Sequence, residues 1–249
     1  MAGHSKWANI KHRKARQDAV RGKAWSKCSR AIIVAAKQGG GDPTMNLGLR
    51  YAIDEAKAVN MPKDTIEKAV KKGAGAGEGG ENYEEARYEG YGPGGVALIV
   101  DVLTDNANRT APELRLIFEK AGGKLAKPGS VSFGFTSSGL ILIAADKIEE
   151  DALMELALEA GAEDVVESDG AWEVTCPPPD FLNLKEAIVG AGIDPDSAEV
   201  TMIPATTVDC DASTAEKILR LIDKFEDHDD VQKVYSNADI PDEVMATLG

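Results

Sequence analysis

The 249-residue sequence is poor in cysteine and in aromatic residues, and it contains no long apolar run. Its three cysteines, Cys28, Cys176 and Cys210, are far apart and lack metal-ligand spacing, so they predict neither a disulfide framework nor a zinc site. The longest apolar runs, at 96–100 and 140–145, have the length of strands and are too short to span a bilayer. These features favour a cytoplasmic protein with several small cores and no membrane segment.

Acidic residues are scarce at the start of the chain and abundant after it. Residues 1–37 contain ten Lys and Arg but a single acid, Asp18, although the whole chain has a formal net charge of −14. Residues 1–72 have a net charge of +10, and the remainder has a net charge of −24. Such segregation predicts two functional zones, one of which binds polyanions. The basic start also lacks the apolar segment of a secretory signal.

The basic residues near the start of the chain are interleaved with a tryptophan and a histidine. Lysine and arginine neutralise phosphates and release counterions, and aromatic rings stack on unpaired bases. A merely solvated charged terminus is the alternative, but ten cations against one acid favour nucleic acid. The predicted nucleic-acid-binding residues are Lys6, Trp7, Lys11, His12, Arg13, Lys14, Arg16, Arg21, Lys23, Lys27 and Arg30.

Apolar spacing predicts a small helical domain that follows this basic arm. Trp25 and Cys28 share the helical spacing of Ile32, so we expect both side chains to pack in the core. The predicted helices run from Lys23 to the glycines at 39–41, over 46–59, and from Pro62 to about 72. The GAGAGEGG stretch at 73–80 is interpreted as a flexible linker, because a phosphate-binding loop needs a preceding strand or a following Lys-Ser/Thr pair.

Beyond the linker, the apolar period of two predicts strands that alternate with helices. Strands at 140–145, 163–168, 171–176 and 198–203, with helices at 149–160 and 181–191, form a complete βαββαβ ferredoxin-like unit. The predicted elements before this unit are a strand at 96–103, a helix at 109–121 and a strand at 131–135. Those after it are a strand at 206–210, a helix at 213–226 and a strand at 231–236.

Neither flanking half can bury its sheet face alone, so we expect the two halves to form one domain. The predicted fold class is α+β and multidomain: a small helical domain followed by two ferredoxin-like α/β domains, one inserted in the other. The predicted limits are 1–78 for the basic arm with the helical domain, 79–135 and 205–249 for the discontinuous α/β domain, and 136–204 for the inserted domain. Two consecutive domains are the alternative.

The titratable residues form no recognisable catalytic pattern. The sequence has no nucleophile elbow, no HExxH pair and no Walker loop. His4 and His12 lie among cations, and His228 lies in the acidic run EDHDD at 226–230, which predicts a solvated helix end rather than a metal site. The TDNANRT stretch at 104–110 is either an anion site at a helix start or an ordinary capped loop. We predict no catalytic residue, no metal and no cofactor.

Four stretches of the sequence resemble the signature segments of the YebC family. These stretches are residues 3–27, 40–73, 88–110 and 208–241, and their first residues read GHSKWANIKHRKAR, GGDPTMNLGLRYAI, YEGYGPGGVALIV and VDCDASTAEKIL, respectively. Residues 136–200 match the family mainly in pattern. The resemblance implies a helical domain followed by two α/β domains, one interrupted by the other. It also implies a cytoplasmic nucleic-acid-binding regulator of gene expression without enzymatic activity or cofactor.

The family is described in two ways, as promoter-binding transcriptional regulators and as translation factors that act at the ribosome. We therefore predict a non-enzymatic DNA-binding transcriptional regulator, with a translation factor that binds ribosomal RNA as the alternative. The acidic α/β body is expected to repel nucleic acid from other faces of the protein. Basic proteins such as polymerase or ribosomal proteins are the expected protein partners of that body.

Overall fold

The first part of the described chain is helical. The computed structural model describes residues 21–75, 83–168, 170–241 and 244–245. Its first helices are α1 (Arg21–Gly39), α2 (Leu47–Ala58) and α3 (Lys63–Gly73). They confirm the three helices that apolar spacing predicts, and Pro62 stands directly before α3 as expected. Most of the predicted linker at 73–80 lies outside the described residues.

Asn46 connects the end of α1 to the start of α2. Its Oδ1 accepts a hydrogen bond from the Leu49 amide at 3.0 Å, which caps α2. Its Nδ2 donates to the carbonyls of Ala35 and Gly40, both at 2.8 Å. Because the Asn46 side chain is buried, these hydrogen bonds hold the two helices in a defined relation.

Trp25 and Cys28 pack against the helical core, as their spacing predicted. The Trp25 indole also donates a hydrogen bond to the Val59 carbonyl at 3.1 Å. Burial raises the pKa of the Cys28 thiol to about 11, so the thiol stays protonated and unreactive at neutral pH. Cys28 is therefore a packing residue rather than a nucleophile.

The inserted domain is a four-stranded antiparallel sheet covered by two helices. Its elements are β4 (Phe135–Ala144), α5 (Glu150–Glu159), β5 (Asp164–Ser168), β6 (Ala171–Cys176), α6 (Phe181–Gly190) and β7 (Ser197–Pro204). The strand order is β5-β6-β4-β7. Alternate residues such as Ile141, Ile143 and Val174 are fully buried against the helices. The observed βαββαβ sequence confirms the predicted ferredoxin-like unit.

The outer domain is formed by segments from both sides of this insertion. Its elements are β1 (Glu84–Tyr91), β2 (Ala97–Thr104), α4 (Ala107–Lys120), β3 (Lys124–Leu125), β8 (Val208–Asp209), α7 (Ala212–Glu226), β9 (Val231–Ser236) and β10 (Ala238–Asp239). The sheet order is β3-β1-β2-β9, and β8 pairs with β10. Phe118 of α4 and Phe225 of α7 pack together over this sheet with ring centroids 4.7 Å apart. The predicted α+β fold class is confirmed: a helical part is followed by sheet domains, one of them inserted in the other.

Two strands of the outer sheet differ from the prediction. Residues 84–91 form the central strand β1, which the sequence did not predict because Glu and Gly dominate EEARYEGY. The strand predicted at 206–210 is reduced to β8, which pairs with β10 outside the four-stranded sheet. The outer sheet thus begins with a β1-β2 hairpin and is not a second copy of the inserted unit.

The prediction of a strand at 131–135 is also wrong. Residues Ser132–Gly134 form a single 3-10 turn, and β4 starts at Phe135. The amides of Val131 and Ser132 donate to the buried Glu89 carboxylate at 2.5 and 2.9 Å, so they cannot take part in a strand ladder. The alternation of Val131, Phe133 and Phe135 mimics a strand, but Phe133 faces solvent.

The residue limits of the predicted domains stay a prediction, and the inserted domain offers a direct test. A fragment of residues 135–204 contains the whole β5-β6-β4-β7 sheet with both covering helices. We expect it to unfold cooperatively in denaturant, because its core needs no residue of the outer sheet. A fragment of residues 83–134 contains only the first half of the outer domain, lacks α7 and β9, and should remain unfolded. Cooperative unfolding of that shorter fragment would contradict the discontinuous domain.

Candidate nucleic-acid interface

The predicted nucleic-acid-binding residues divide into two groups. Those that lie outside the described residues are Lys6, Trp7, Lys11, His12, Arg13, Lys14 and Arg16. Arg21 is the first residue of α1. The three that follow, Lys23, Lys27 and Arg30, are spaced by four and three residues and so lie along one side of α1.

Lys23 and Lys27 contact the acidic segment, which we define as residues 226–230 at the end of α7. The Lys23 ammonium lies 3.2 Å from the Asp227 carbonyl and 3.4 Å from its carboxylate. The Lys27 ammonium donates to the Glu226 carbonyl at 2.6 Å. Burial lowers the pKa of Lys27, as expected for an ammonium enclosed at a domain contact. Both lysines therefore take part in the contact between the helical and outer domains.

Arg30 makes the most enclosed of these contacts. Its guanidinium donates to the Asp229 carbonyl and lies 3.6 Å from the Asp230 carboxylate. Only 5% of the Asp230 side chain and 15% of the Arg30 side chain are exposed. Arg30 thus has a structural role at the domain contact, and its part in binding nucleic acid stays a prediction.

Asp230 also receives hydrogen bonds from the start of α4. One carboxylate oxygen accepts from Thr110 Oγ1 at 2.7 Å, from Arg109 Nη2 at 2.8 Å and from Thr104 Oγ1 at 3.2 Å. Asn106 caps α4 by accepting from the Arg109 amide at 3.2 Å. The stretch at 104–110 is therefore a capped loop that holds a carboxylate of this chain.

Burial raises the pKa of Asp230, but its hydrogen bonds outweigh burial and bring the pKa below its ordinary value. Thr110 and Arg109 are the main donors responsible, so Asp230 is charged at neutral pH. An ionised carboxylate at this position is needed to balance the guanidinium groups of Arg30 and Arg109.

His228 is held within the acidic segment with 14% of its side chain exposed, so it is more enclosed than the predicted solvated helix end, whereas Asp227 and Asp229 beside it are exposed. Its Nε2 lies 3.0 Å from the Glu113 carboxylate, and its Nδ1 accepts from the Asp230 amide at 3.2 Å. Acceptance at Nδ1 places the proton of a neutral ring on Nε2, facing Glu113. His228 thus ties the acidic segment to α4.

A cleft of about 990 Å³ lies where the three domains meet. Lys233 of β9 reaches across it: its ammonium contacts the Glu55 carboxylate of α2 and lies 3.3 Å from the Val200 carbonyl of β7. Burial lowers the pKa of Lys233, but Glu55 outweighs burial and raises it above its ordinary value. Lys233 therefore stays charged and links all three domains.

The helical domain also contacts the inserted domain. Asp54 of α2 forms an ion pair with Lys185 of α6 at 2.7 Å. The Tyr51 hydroxyl donates to the Pro178 carbonyl, and its ring packs edge-on against Phe181 with centroids 6.2 Å apart. Domain contacts therefore combine ion pairs with one aromatic pair.

A second set of cations lies on α3, away from these domain contacts. Its exposed lysines are Lys63, Lys68, Lys71 and Lys72.

In the described part of the chain, no three His, Cys, Asp or Glu side chains are placed to hold a metal ion. None of the helices in that part is both long and apolar enough to cross a bilayer.

Comparison with known proteins gives matches over nearly the whole chain. A family model described as the TACO1/YebC protein N-terminal domain matches residues 5–76, and one described as the TACO1/YebC second and third domain matches residues 83–238. A "Probable transcriptional regulatory protein" of Hahella chejuensis is 56% identical over the full length of both chains. The "Transcriptional regulatory protein PmpR" of Pseudomonas aeruginosa is 55% identical, also over both full lengths.

The fold also matches a solved structure. The crystal structure of the conserved hypothetical protein Aq1575 from Aquifex aeolicus superposes with a TM-score of 0.78 at 45% identity. The match covers 91% of this chain and 93% of the Aquifex chain. The arrangement of a helical part followed by sheet domains is thus shared with this protein.

The sequence signalled the basic residues of α1 but not what they contact. Their partners lie about 200 residues further along the chain, and only the run EDHDD hinted at a complementary surface. The stretches at 104–110 and 226–230 were singled out from the sequence, but the contacts of Arg109 and Asp230 within them, and the role of Lys233, were missed because they depend on tertiary neighbours rather than on local spacing.

Replacing Asp230 with Asn tests whether this carboxylate stabilises the domain contact. We expect the free energy of unfolding to fall by about 3 kcal/mol, because the variant leaves two guanidinium groups without their buried counter-charge. Because the folded-state pKa of Asp230 is lowered, its stabilisation is complete above the unfolded value of about 4 and disappears as pH falls through the folded value. The stability difference from wild type should therefore shrink on acidification.

The neighbouring Asp229→Asn variant is the matched control, since Arg30 uses the Asp229 carbonyl and the Asp229 side chain is exposed. Denaturant titrations at several pH values measure both variants, and Asp229→Asn should cost less than about 0.5 kcal/mol. Equal losses for the two variants would rule out a specific role of the Asp230 carboxylate.

Proposed function

The chain belongs to the TACO1/YebC family, and from that premise we propose that it is a non-enzymatic, nucleic-acid-binding regulator of gene expression. DNA-directed control of transcription is the first reading of its function. Its basic arm and helical domain bind the phosphates, and its α/β domains orient the complex. No catalytic step and no cofactor belong to this proposal.

The charge distribution is the observation that carries the proposal. Ten cations and a single acid stand in residues 1–37 of a chain whose overall charge is −14. Phosphate neutralisation by such a segment supplies affinity without sequence information. The names of the relatives from Hahella and Pseudomonas support a role in regulation.

The described contacts distinguish the cations that bind the acidic segment from the other cations near the start of the chain. Lys27 and Arg30 are committed to the acidic segment, whereas the cations between residues 6 and 16 precede every described helix. We assign the main phosphate contacts to Lys6, Lys11, Arg13, Lys14 and Arg16 for this reason. Trp7 and His12 would add base stacking among these cations.

The acidic α/β body limits nucleic acid to the basic side of the protein. Residues after 72 have a net charge of −24, which repels phosphates and favours basic protein partners. Polymerase and ribosomal proteins are such partners, and both fit a cytoplasmic location.

A translation factor that binds ribosomal RNA is the second candidate. The sequence offers neither a dimerisation zipper nor a recognisable helix-turn-helix, which a conventional operator-binding dimer would use. Shape and phosphate recognition of folded RNA needs neither feature. The resemblance to translational activators of the same family favours this alternative as well.

Deleting residues 1–20 tests the arm as the phosphate-binding segment. The deletion removes Lys6, Lys11, Arg13, Lys14 and Arg16, while the helical core from Trp25 onward is retained. We expect a steep loss of affinity for duplex DNA, and the slope of log affinity against log salt should shrink by roughly four to five. Salt titrations of full-length and truncated protein measure the slope.

The matched control keeps the arm at full length and replaces its five cations with Gln. It should reproduce the loss of slope seen for the deletion, since charge and not chain length causes it. An unchanged slope in both variants would contradict the assignment and would move it to the exposed lysines of α3.

Crosslinking in living cells, followed by sequencing of bound DNA and bound RNA, distinguishes the two candidate functions. We expect promoter DNA to be enriched if the protein controls transcription directly. Enrichment of ribosomal RNA without promoter DNA would replace that reading with the translation factor. The arm-deleted protein is the control, since enrichment by either route requires its phosphate contacts.

A further inference from the structure

The segment between α4 and β4 differs in charge from the rest of the α/β body. The chain has no Asp or Glu between Glu119 and Asp146, although 36 acidic residues follow residue 72. Three lysines stand in the same stretch, at positions 120, 124 and 127. This segment can therefore attract phosphate in a body that otherwise repels it.

Phe133 projects from this segment into solvent. Its side chain is 86% exposed, the highest value among the large apolar side chains that the structure exposes in its described part. A phenylalanine ring is normally buried, because removing its surface from water stabilises the fold. An exposed ring on an ordered loop is available for stacking against a partner.

The residues on either side of Phe133 prevent the ring from turning inward. Val131 and Phe135 are both buried and pack against Ile99 and Tyr235 on the outer face of the β2-β9 pair. The Gly134 amide donates to the Val131 carbonyl at 3.0 Å and closes the turn between them. With both flanks anchored, Phe133 must lie at the tip.

Glu89 of β1 fixes the same loop through hydrogen bonds from its backbone amides. Its buried carboxylate accepts hydrogen bonds from the amides of Gly129, Val131 and Ser132 at 2.8, 2.5 and 2.9 Å. Burial raises the pKa of Glu89, but these amides outweigh burial and lower it, so the carboxylate stays charged. A loop fixed in this way loses little conformational entropy when it binds.

Lysine groups lie close to the base of the loop. The Lys124 ammonium sits over the Tyr91 ring, 5.8 Å from its centroid, and the Tyr91 hydroxyl donates to the Ser130 carbonyl at 3.0 Å. Lys127 begins the turn that the Ser130 amide closes at 3.1 Å. The two lysines precede the exposed ring by nine and six residues along the chain.

We propose that residues 124–135, which we call the Phe133 loop, bind an unpaired nucleotide: Phe133 stacks on the base, while Lys124 and Lys127 contact the adjacent phosphates. This inference rests on the proposed function, and it adds a second contact, on the outer α/β domain, that selects single-stranded nucleic acid. Aromatic stacking recognises unpaired bases in RNA and DNA alike, because every base has a π face.

The surroundings of Phe133 favour a nucleotide over an apolar protein pocket. The core of a protein interface is an apolar patch formed by several large side chains. The Phe133 loop offers a single large exposed apolar side chain. Apart from Lys127 and Pro128, the other exposed or half-exposed positions in residues 127–137 are hydroxyl residues and glycines, such as Ser130, Ser132 and Thr136. Hydroxyl and lysine groups around one ring match a base with its phosphates.

Fluorescence anisotropy with the full-length protein tests the proposal. The probes are labelled oligouridine and oligothymidine of about 12 nucleotides, and a DNA duplex of the same length. We expect Phe133→Ala to weaken both single-stranded probes by roughly 5- to 150-fold, and to weaken the duplex by less than about twofold. A loss on oligouridine alone would assign the site to RNA, and an equal loss on both would assign it to unpaired bases of either kind.

Three further variants separate stacking from other effects. Phe133→Trp should retain binding, whereas Phe133→Leu should lose it, because leucine keeps apolar bulk without a π face. Leu158→Ala removes a side chain that is 56% exposed on α5 of the inserted domain, away from the proposed contacts, and should change nothing. Replacing Lys124 and Lys127 together with Gln should reduce the salt slope on single strands by roughly 1.4.

Two results would overturn the inference while leaving the proposed function intact. One is that the wild-type protein binds all the probes and the Phe133→Ala variant binds them equally well. The other is a Phe133→Ala variant that keeps its nucleic-acid affinity but loses association with a protein of the ribosome or the polymerase. A wild-type protein that binds no probe would instead contradict the proposed function itself.

Thermal unfolding of Phe133→Ala is the folding control. We expect it to be unchanged, because the exposed ring is not needed for folding.

Discussion

The arrangement of the domains depends on the ionic contact between α1 and the acidic segment. Each domain has its own apolar core, and only a few apolar side chains in the described part of the chain, such as Tyr51, Phe135 and Met202, pack across domains and help to determine how the domains sit together. Arg30 and Asp230 contribute much to the relative placement of the helical and outer domains, because both are largely buried and Asp230 is also fixed by Arg109. Buried ion pairs contribute little net stability, but they penalise any arrangement that leaves one charge unpaired. Charge therefore helps to specify the relative placement of domains that each have their own core.

A second consequence concerns the cleft where the domains meet. Lys233 contacts groups of two other domains there, and Glu55 keeps it charged despite burial. Together with Asp230, three residues before it, Lys233 makes the start of β9 the point on which all three domains converge. The β9 strand also completes the outer sheet by pairing with β2, so the return of the chain after the insertion both closes a domain and positions the other two.

Local spacing predicted much of this fold, and tertiary contacts account for the differences. The helices and the inserted sheet follow their apolar periods because each buries one face within its own domain. The strand β1 escaped prediction because its Glu-rich sequence is stabilised by pairing on both sides, which no local pattern reveals. The stretch at 131–135 misled in the opposite direction, because the Glu89 carboxylate, about 40 residues away, takes the amides that a strand would use. For the candidate site, composition indicated the basic zone, but the partners of Lys23, Lys27 and Arg30 required the folded chain.

The contacts of α1 also bear on how affinity for a polyanion arises. Much of the free energy of phosphate binding comes from releasing counterions condensed on the nucleic acid, and each cation that reaches a phosphate contributes. A cation that is already held by a carboxylate or carbonyl must first give up that contact, so its net contribution is smaller. Arg30, enclosed beside Asp230, would lose a largely buried partner, whereas Lys23, whose side chain is 48% exposed, would lose a contact of about 0–1 kcal/mol. The acidic segment therefore holds Arg30 more firmly than Lys23, so displacing Arg30 from it would cost more free energy than displacing Lys23.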